Sequence, residues 1–148
     1  MTIGLLALTA AAIFTGAALY VTVAEQPARL VIDDRALLTE WKPSYKRGTA
    51  MQAPLALLGF LLGVIAWWQT SHPGFLIGGI AMLAPWPWTL IGIKPTNDAL
   101  LATEIDQAGP STRALVVKWG ARHAVRTALG ALATLAFLWA CMSRLAGT

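Results

Sequence analysis

The sequence predicts an all-α, membrane-embedded four-helix bundle with a short interfacial helix between the first and second spans. Three observations carry this prediction. First, 57% of the 148 residues are hydrophobic and only 12% are charged, with a mean hydropathy of +0.62. A soluble domain carries about twice that charged fraction. Second, no charge falls between Met1 and Ala24, and none between Gly48 and Ile93. A span needs about 20 apolar residues, so the first stretch holds one and the second is long enough for two. Third, a last span-length run, from about Leu115 to Cys141, carries Lys118, Arg122, His123 and Arg126 at its head and is apolar from there on. Residues 1–148 therefore read as a single transmembrane domain, with spans at about 3–24, 51–69, 75–93 and 115–141. The net charge of +4 is gathered in loops, the pattern of a membrane protein and not of a nucleic-acid surface. The lone Cys141 excludes an internal disulfide and a cysteine-rich metal site, and reads as a small buried apolar side chain.

Span one has no basic start. Although Thr22 and Ala24 make a passable cleavage site, a span is the better reading than a secretory signal. Its face in register with Glu25 carries Ala7, Ala11, Ala18 and Thr22, small residues of the kind that mark helix contacts in lipid. Pro27 kinks or ends this helix. Between Arg29 and Gly48, Leu30, Val31, Leu37, Leu38 and Trp41 are expected to form one apolar side of a short interfacial helix, with a solvated loop as the alternative for its first half, and a turn at Lys42-Pro43-Ser44-Tyr45 is expected to close it. In span two, Gln52, Ala56, Gly59, Gly63, Ala66 and Thr70 share a face, and Gly59-x-x-x-Gly63 permits close helix contact. Trp67 and Trp68 suit the interfacial belt. Ser71-His72-Pro73-Gly74 is a turn by composition. Span three is interrupted by Pro85-Trp86-Pro87-Trp88, which breaks or distorts the helix and frees backbone groups. Lys94-Pro95-Thr96-Asn97 is expected to end it. Gly109-Pro110 turns the last polar loop.

Span four carries the polar residues of interest. At about 100° per residue, Trp119, His123 and Arg126 fall within roughly 60° of one another. Their stripe continues through Gly130, Ala133, Thr134 and Phe137, whereas Leu129, Leu132, Leu135 and Leu138 mark the lipid side. His123 and Arg126 are thus expected to face into the bundle, where an ionisable group is a functional-site candidate by default. The first and third loops hold Arg29, Arg35, Lys42, Lys46, Arg47, Lys94, Arg113 and Lys118; the second holds no Lys or Arg. Those two loops are accordingly expected in the cytoplasm, with both termini outside. Glu25, Tyr45, Gln52, Asn97, His123 and Arg126 then share the cytoplasmic mouth.

Five strings stand out along the chain, in this order: Glu25-Gln26-Pro27-Ala28-Arg29, Trp41-x-Pro43-Ser44-Tyr45-x-Arg47, Pro87-Trp88-Thr89, Pro95-Thr96-Asn97 and Trp119-x-x-x-His123-x-x-Arg126. On these motifs the chain resembles the bacterial membrane family DUF1772, relatives of the anthrone oxygenases. The resemblance implies a four-helix protein of the bacterial inner membrane. For the relatives that oxidise anthrones it also implies chemistry without metal or flavin. His123 would act as base, Arg126 would hold an oxyanion, and Asn97 and Glu25 would complete a catalytic set. Tyr45, Trp41, Trp119 and Gln52 would bind an apolar phenolic or enolisable substrate.

The same residues have plainer readings. His123 is a hydrogen-bonded histidine at a helix start, Glu25 a structural partner of Arg122 or Arg126, Asn97 a helix cap, and the aromatics interface anchors. These suit a non-enzymatic membrane module that binds lipid or a partner protein. Glu25, Asn97 and His123 match no recognised metal spacing, and His72 lies at the wrong depth to pair with His123 across a haem. The sequence carries no phosphate-cradling glycine loop, nucleophile constellation or paired in-membrane carboxylates, and nothing in it specifies an oligomer.

Overall fold

The computed structural model describes residues 2–146. Among the described residues, four helices are long and apolar enough to cross a membrane: α1 (Thr2–Arg29), α2 (Asp34–Thr70), α3 (Pro73–Ala102) and α4 (Pro110–Ala146). They form the predicted bundle, with α1 and α3 each packed between α2 and α4.

Small residues set the spacing. Ala7, Ala11 and Ala18 of α1, Ala56 and Ala66 of α2 and Ala133 of α4 are buried together, with Phe14, Phe75 and Phe137 filling between them. A Cβ on Gly63 would stand 3.0 Å from the Gly79 Cα, so α2 and α3 touch through bare backbone. Leu132, Leu135 and Leu138 are exposed, as the lipid side of α4 requires.

The two 37-residue helices, α2 and α4, are about 55 Å long by their rise, far more than a hydrocarbon core of about 30 Å. Their N-terminal portions project beyond the spans and make a second core. Leu37, Leu38, Trp41, Leu100, Val116 and Trp119 pack there above the first. Val31 was expected in this apolar side and is instead 85% exposed.

Two expected breaks are absent. The helix runs unbroken through Lys42-Pro43-Ser44-Tyr45, so the interfacial helix is the coaxial start of α2. Pro43 lies on the exposed side, as does Thr39, whose carbonyl loses its helical donor. Likewise α3 does not end at Lys94-Asn97 but continues to Ala102. The Pro85-Trp86-Pro87-Trp88 distortion is present: α3 passes through a short helical piece and then a π-helical turn at Thr89–Ile93. A second π-helical turn, Val21–Glu25, lies in α1.

Cations fasten the loops. Arg113 donates to the Leu30 and Ile32 carbonyls at 2.7 and 2.6 Å and to Asp34 at 2.6 Å. Lys42 donates to the Leu101 and Thr103 carbonyls at 3.1 and 2.7 Å, satisfying the C-terminus of α3. His72 caps the α3 start by accepting from the Gly74 N–H at 3.2 Å.

Candidate functional site

A cavity of about 30 Å³ lies where the two cores meet. Its lining includes Ser44, Tyr45 and Gln52 of α2, Thr89 and Asn97 of α3, and Trp119, His123 and Arg126 of α4. It adjoins a groove of about 260 Å³ between α2 and α3, floored by Ala53, Ala56, Pro85, Trp86 and Leu90. Tyr45, Thr49, Thr89, Asn97 and Arg126 line both spaces.

The two π-helical turns supply the supports of the two α4 residues. Thr22, in the first, donates to the Ala18 carbonyl at 3.0 Å. Its hydroxyl also lies 2.9 Å from the Thr127 hydroxyl and 3.4 Å from His123 Nδ1, the direction of the last contact following the imidazole tautomer. The ring also stacks on Trp119 at 4.9 Å. Thr89, in the second turn, accepts from Arg126 Nη1 at 3.1 Å, and Gln52 Oε1 accepts from Nη2 at 3.0 Å. The guanidinium lies 5.7 Å from the Phe14 ring centroid. A wider π turn adds a residue and redirects side chains, and such turns gather at functional sites.

Arg126 is held only by neutral groups. Among the described residues no carboxylate stands within ion-pair distance of it. Glu25, expected to serve Arg126 or Arg122, pairs instead with Arg29 four residues on, and accepts from Ser44. Arg29 is 3% exposed and also pairs with Glu40 at 2.9 Å. Burial, the first cause, holds the Glu40 carboxyl above its ordinary value; Glu25 beside it adds to the rise and Arg29 opposes it. Glu25 therefore sits behind Ser44 and does not line the cavity. Arg122 turns to Thr96, at 2.8 Å.

Asn97 is 2% exposed and donates from Nδ2 to the Tyr45 hydroxyl at 3.3 Å, so it joins α3 to α2 across the cavity and does not cap a helix. Tyr45 stacks on Trp41 at 5.0 Å, and Trp41 meets the Trp119 edge at 5.7 Å. Trp41 is fully buried and acts as backing for the two rings that line the cavity. The structure thus gathers Tyr45, Gln52, Asn97, Trp119, His123 and Arg126, and leaves Glu25 and Trp41 behind the wall. Thr22, Ser44, Thr49, Thr89 and Arg29 were not singled out as site residues. The Glu25-x-x-x-Arg29 spacing was the available signal for one of them. No three His, Cys, Asp or Glu side chains among the described residues converge as a metal site.

The chemistry available is one imidazole base, one cation without a counter-ion, and amide and hydroxyl groups facing an apolar groove. No curated protein and no solved structure matches the chain. The model of the anthrone oxygenase family matches residues 41–136, well over half of the chain, and that stretch contains the named lining residues of α2, α3 and α4. The chain belongs to the anthrone oxygenase family.

Proposed function

We propose that the protein is a membrane enzyme that oxygenates an apolar phenolic or enolisable substrate taken from the lipid phase. The observation that carries this reading is Arg126, a cation lining a largely apolar site, bound only to neutral oxygens and open to an anion. An uncompensated charge in such surroundings is costly, and an enolate oxygen offsets that cost.

Magnitudes divide the site. A cavity of roughly 150 Å³ binds benzene. The 30 Å³ cavity is too small for a ring and admits a molecule the size of water or O2; the 260 Å³ groove takes fused rings. The apolar body then lies in the groove, with its oxygen at the junction near Arg126, Tyr45 and Asn97. His123 removes a proton from the acidic carbon, and Arg126 holds the enolate oxygen. The carbanion bonds to O2 and gives a peroxide. Loss of the second proton from that carbon cleaves the O–O bond. CH2 becomes C=O; one oxygen atom stays on carbon, and the other leaves as water with both protons. Exclusion of bulk water protects the carbanion from reprotonation.

A bundle sealed by a Glu25 ion pair, with no cavity, would have favoured the non-enzymatic lipid- or partner-binding module. Glu25 does pair, but on the far side of Ser44 from the cavity. The test is oxygen uptake by the purified protein in detergent with anthrone as probe. One O2 should be consumed per anthraquinone formed, and His123→Gln should lower the rate by about 10²-fold or more while keeping the wild-type melting temperature. Wild-type protein without uptake, or an equally active His123→Gln, would reject the proposal.

A further inference from the structure

We propose that a groove between α1 and α2 is the entrance for O2, separate from the α2–α3 groove that takes the organic substrate; this rests on the enzymatic reading above. That reading sets a requirement of space. Fused rings seated in the 260 Å³ groove cover the α2–α3 side of the small cavity, because Tyr45, Thr49, Thr89, Asn97 and Arg126 line both spaces. The carbanion forms only with the substrate in place, so O2 must reach it by a way that the substrate leaves open.

Such a way lies on the other flank of α2. A groove of about 380 Å³ runs between α1 and α2, and Val21, Ser44, Gly48 and Gln52 line both it and the cavity. Ser44, Gly48 and Gln52 follow one another at four-residue steps along one edge of α2. Gly48 puts no side chain into this partition, and a Cβ built on it would meet nothing within 4 Å. Farther out the groove is walled by Ala17, Tyr20 and Met51, the last two exposed on the outside of the bundle. O2 is apolar and dissolves better in hydrocarbon than in water, so the lipid beside this groove is its richer source. The cavity behind the partition, at about 30 Å³, holds an O2 and stops a ring, so the two grooves admit different guests. Glu25 and Arg47 stand at the groove edge, and the water formed in each turnover leaves toward them.

The test is initial-rate kinetics with anthrone and O2 varied in turn. Ala17 and Met51 line the α1–α2 groove and not the cavity, so Ala17→Phe and Met51→Trp fill the groove from its two sides. Each should lower kcat/KM for O2 by about fivefold or more, with kcat at saturating O2 and the KM for anthrone at wild-type values. Ala53→Phe, in the other groove, should raise the KM for anthrone instead. Wild-type kcat/KM for O2 in both α1–α2 groove variants overturns the separate entrance and leaves the enzymatic reading standing. So does a fall in kcat with an unchanged KM for O2, which marks a distorted site. If Ala17→Phe does not fold, Met51→Trp, at an exposed position, is read in its place. Wild-type protein that never oxidises anthrone removes the enzymatic reading, and the entrance falls with it.

Discussion

Arg126 is where function and stability pull apart. A half-buried guanidinium without a carboxylate costs several kcal/mol, and its two neutral hydrogen bonds return only about 1.5–3 kcal/mol each. Replacing such a cation with an apolar side chain of similar volume is often neutral or stabilising. Arg126→Met should therefore melt at or above the wild-type temperature and lose anthrone oxidation. A loss of more than about 3 kcal/mol in stability would show that the cation holds the bundle together. Arg126→Lys keeps the charge but cannot reach Gln52 and Thr89 with one fork, so it should retain only part of the rate. Asp33 shows the opposite economy. Its carboxylate accepts from the Arg35 and Ala36 N–H groups, each at 3.0 Å, at the N-cap of α2. The Ala36 bond, the largest cause, holds its pKa below the ordinary 3.8. With the folded value lowered, the cap contributes above the unfolded value and is lost as pH falls through the folded one. Amide exchange in the first turn of α2, corrected for intrinsic rates, should rise as pH drops below about 4. Asp33→Asn should flatten that rise; an equal rise in Asp33→Asn would detach it from Asp33.

Helices reveal why some of this architecture could be read from the chain and some could not. The stripes of α1, α2 and α4 were legible because a 3.6-residue period of small residues has one economical use in lipid, which is close helix contact. Gly59 and Gly63 show the limit of that reading, since the sequence ranks them equally and the structure does not. A Cβ on Gly59 meets the flexible end of Met82 at 2.6 Å. One on Gly63 meets Phe137 at 2.8 Å and the Gly79 backbone at 3.0 Å. Gly63→Ala should cost about 1–3 kcal/mol and Gly59→Ala less than about 1, measured by unfolding in detergent. Equal costs would mean that α2 and α3 slide apart freely. The missed features have separate physical causes. Pro43 looked like a turn because proline removes a donor; whether that ends a helix depends on which face it occupies, and this one is exposed. The π turns at Val21–Glu25 and Thr89–Ile93 leave no periodic mark, because one inserted residue is absorbed by a tertiary fit. They are also what aims Thr22 and Thr89 at His123 and Arg126. Glu25 was assigned to a distant arginine although Arg29, four residues on, was the nearer partner.

At the scale of the whole molecule the polar site, both π turns and the second core gather at one end of the bundle, and the basic loops lie at that end as well. Not all of those cations are free to set orientation by charge alone. Arg29 is buried in an ion cluster, Lys42 satisfies the end of α3, and Arg113 fastens the α1–α2 loop to α4. Each still carries its charge during insertion, when none of these contacts has formed, and the opposite end has no Lys or Arg in its α2–α3 turn. The expected orientation places the site at the cytoplasmic side with both termini outside. Single cysteines at Ser71 and Ser111, both exposed, test it with a membrane-impermeant thiol reagent on intact cells. Cys141 is 2% exposed and needs no removal if unsubstituted protein stays unlabelled as a control. Ser71→Cys should label at once and Ser111→Cys only after the membrane is opened. The reverse pattern would put the site on the outer face. Labelling at both positions without permeabilisation would mean that the four helices do not cross the membrane as a bundle.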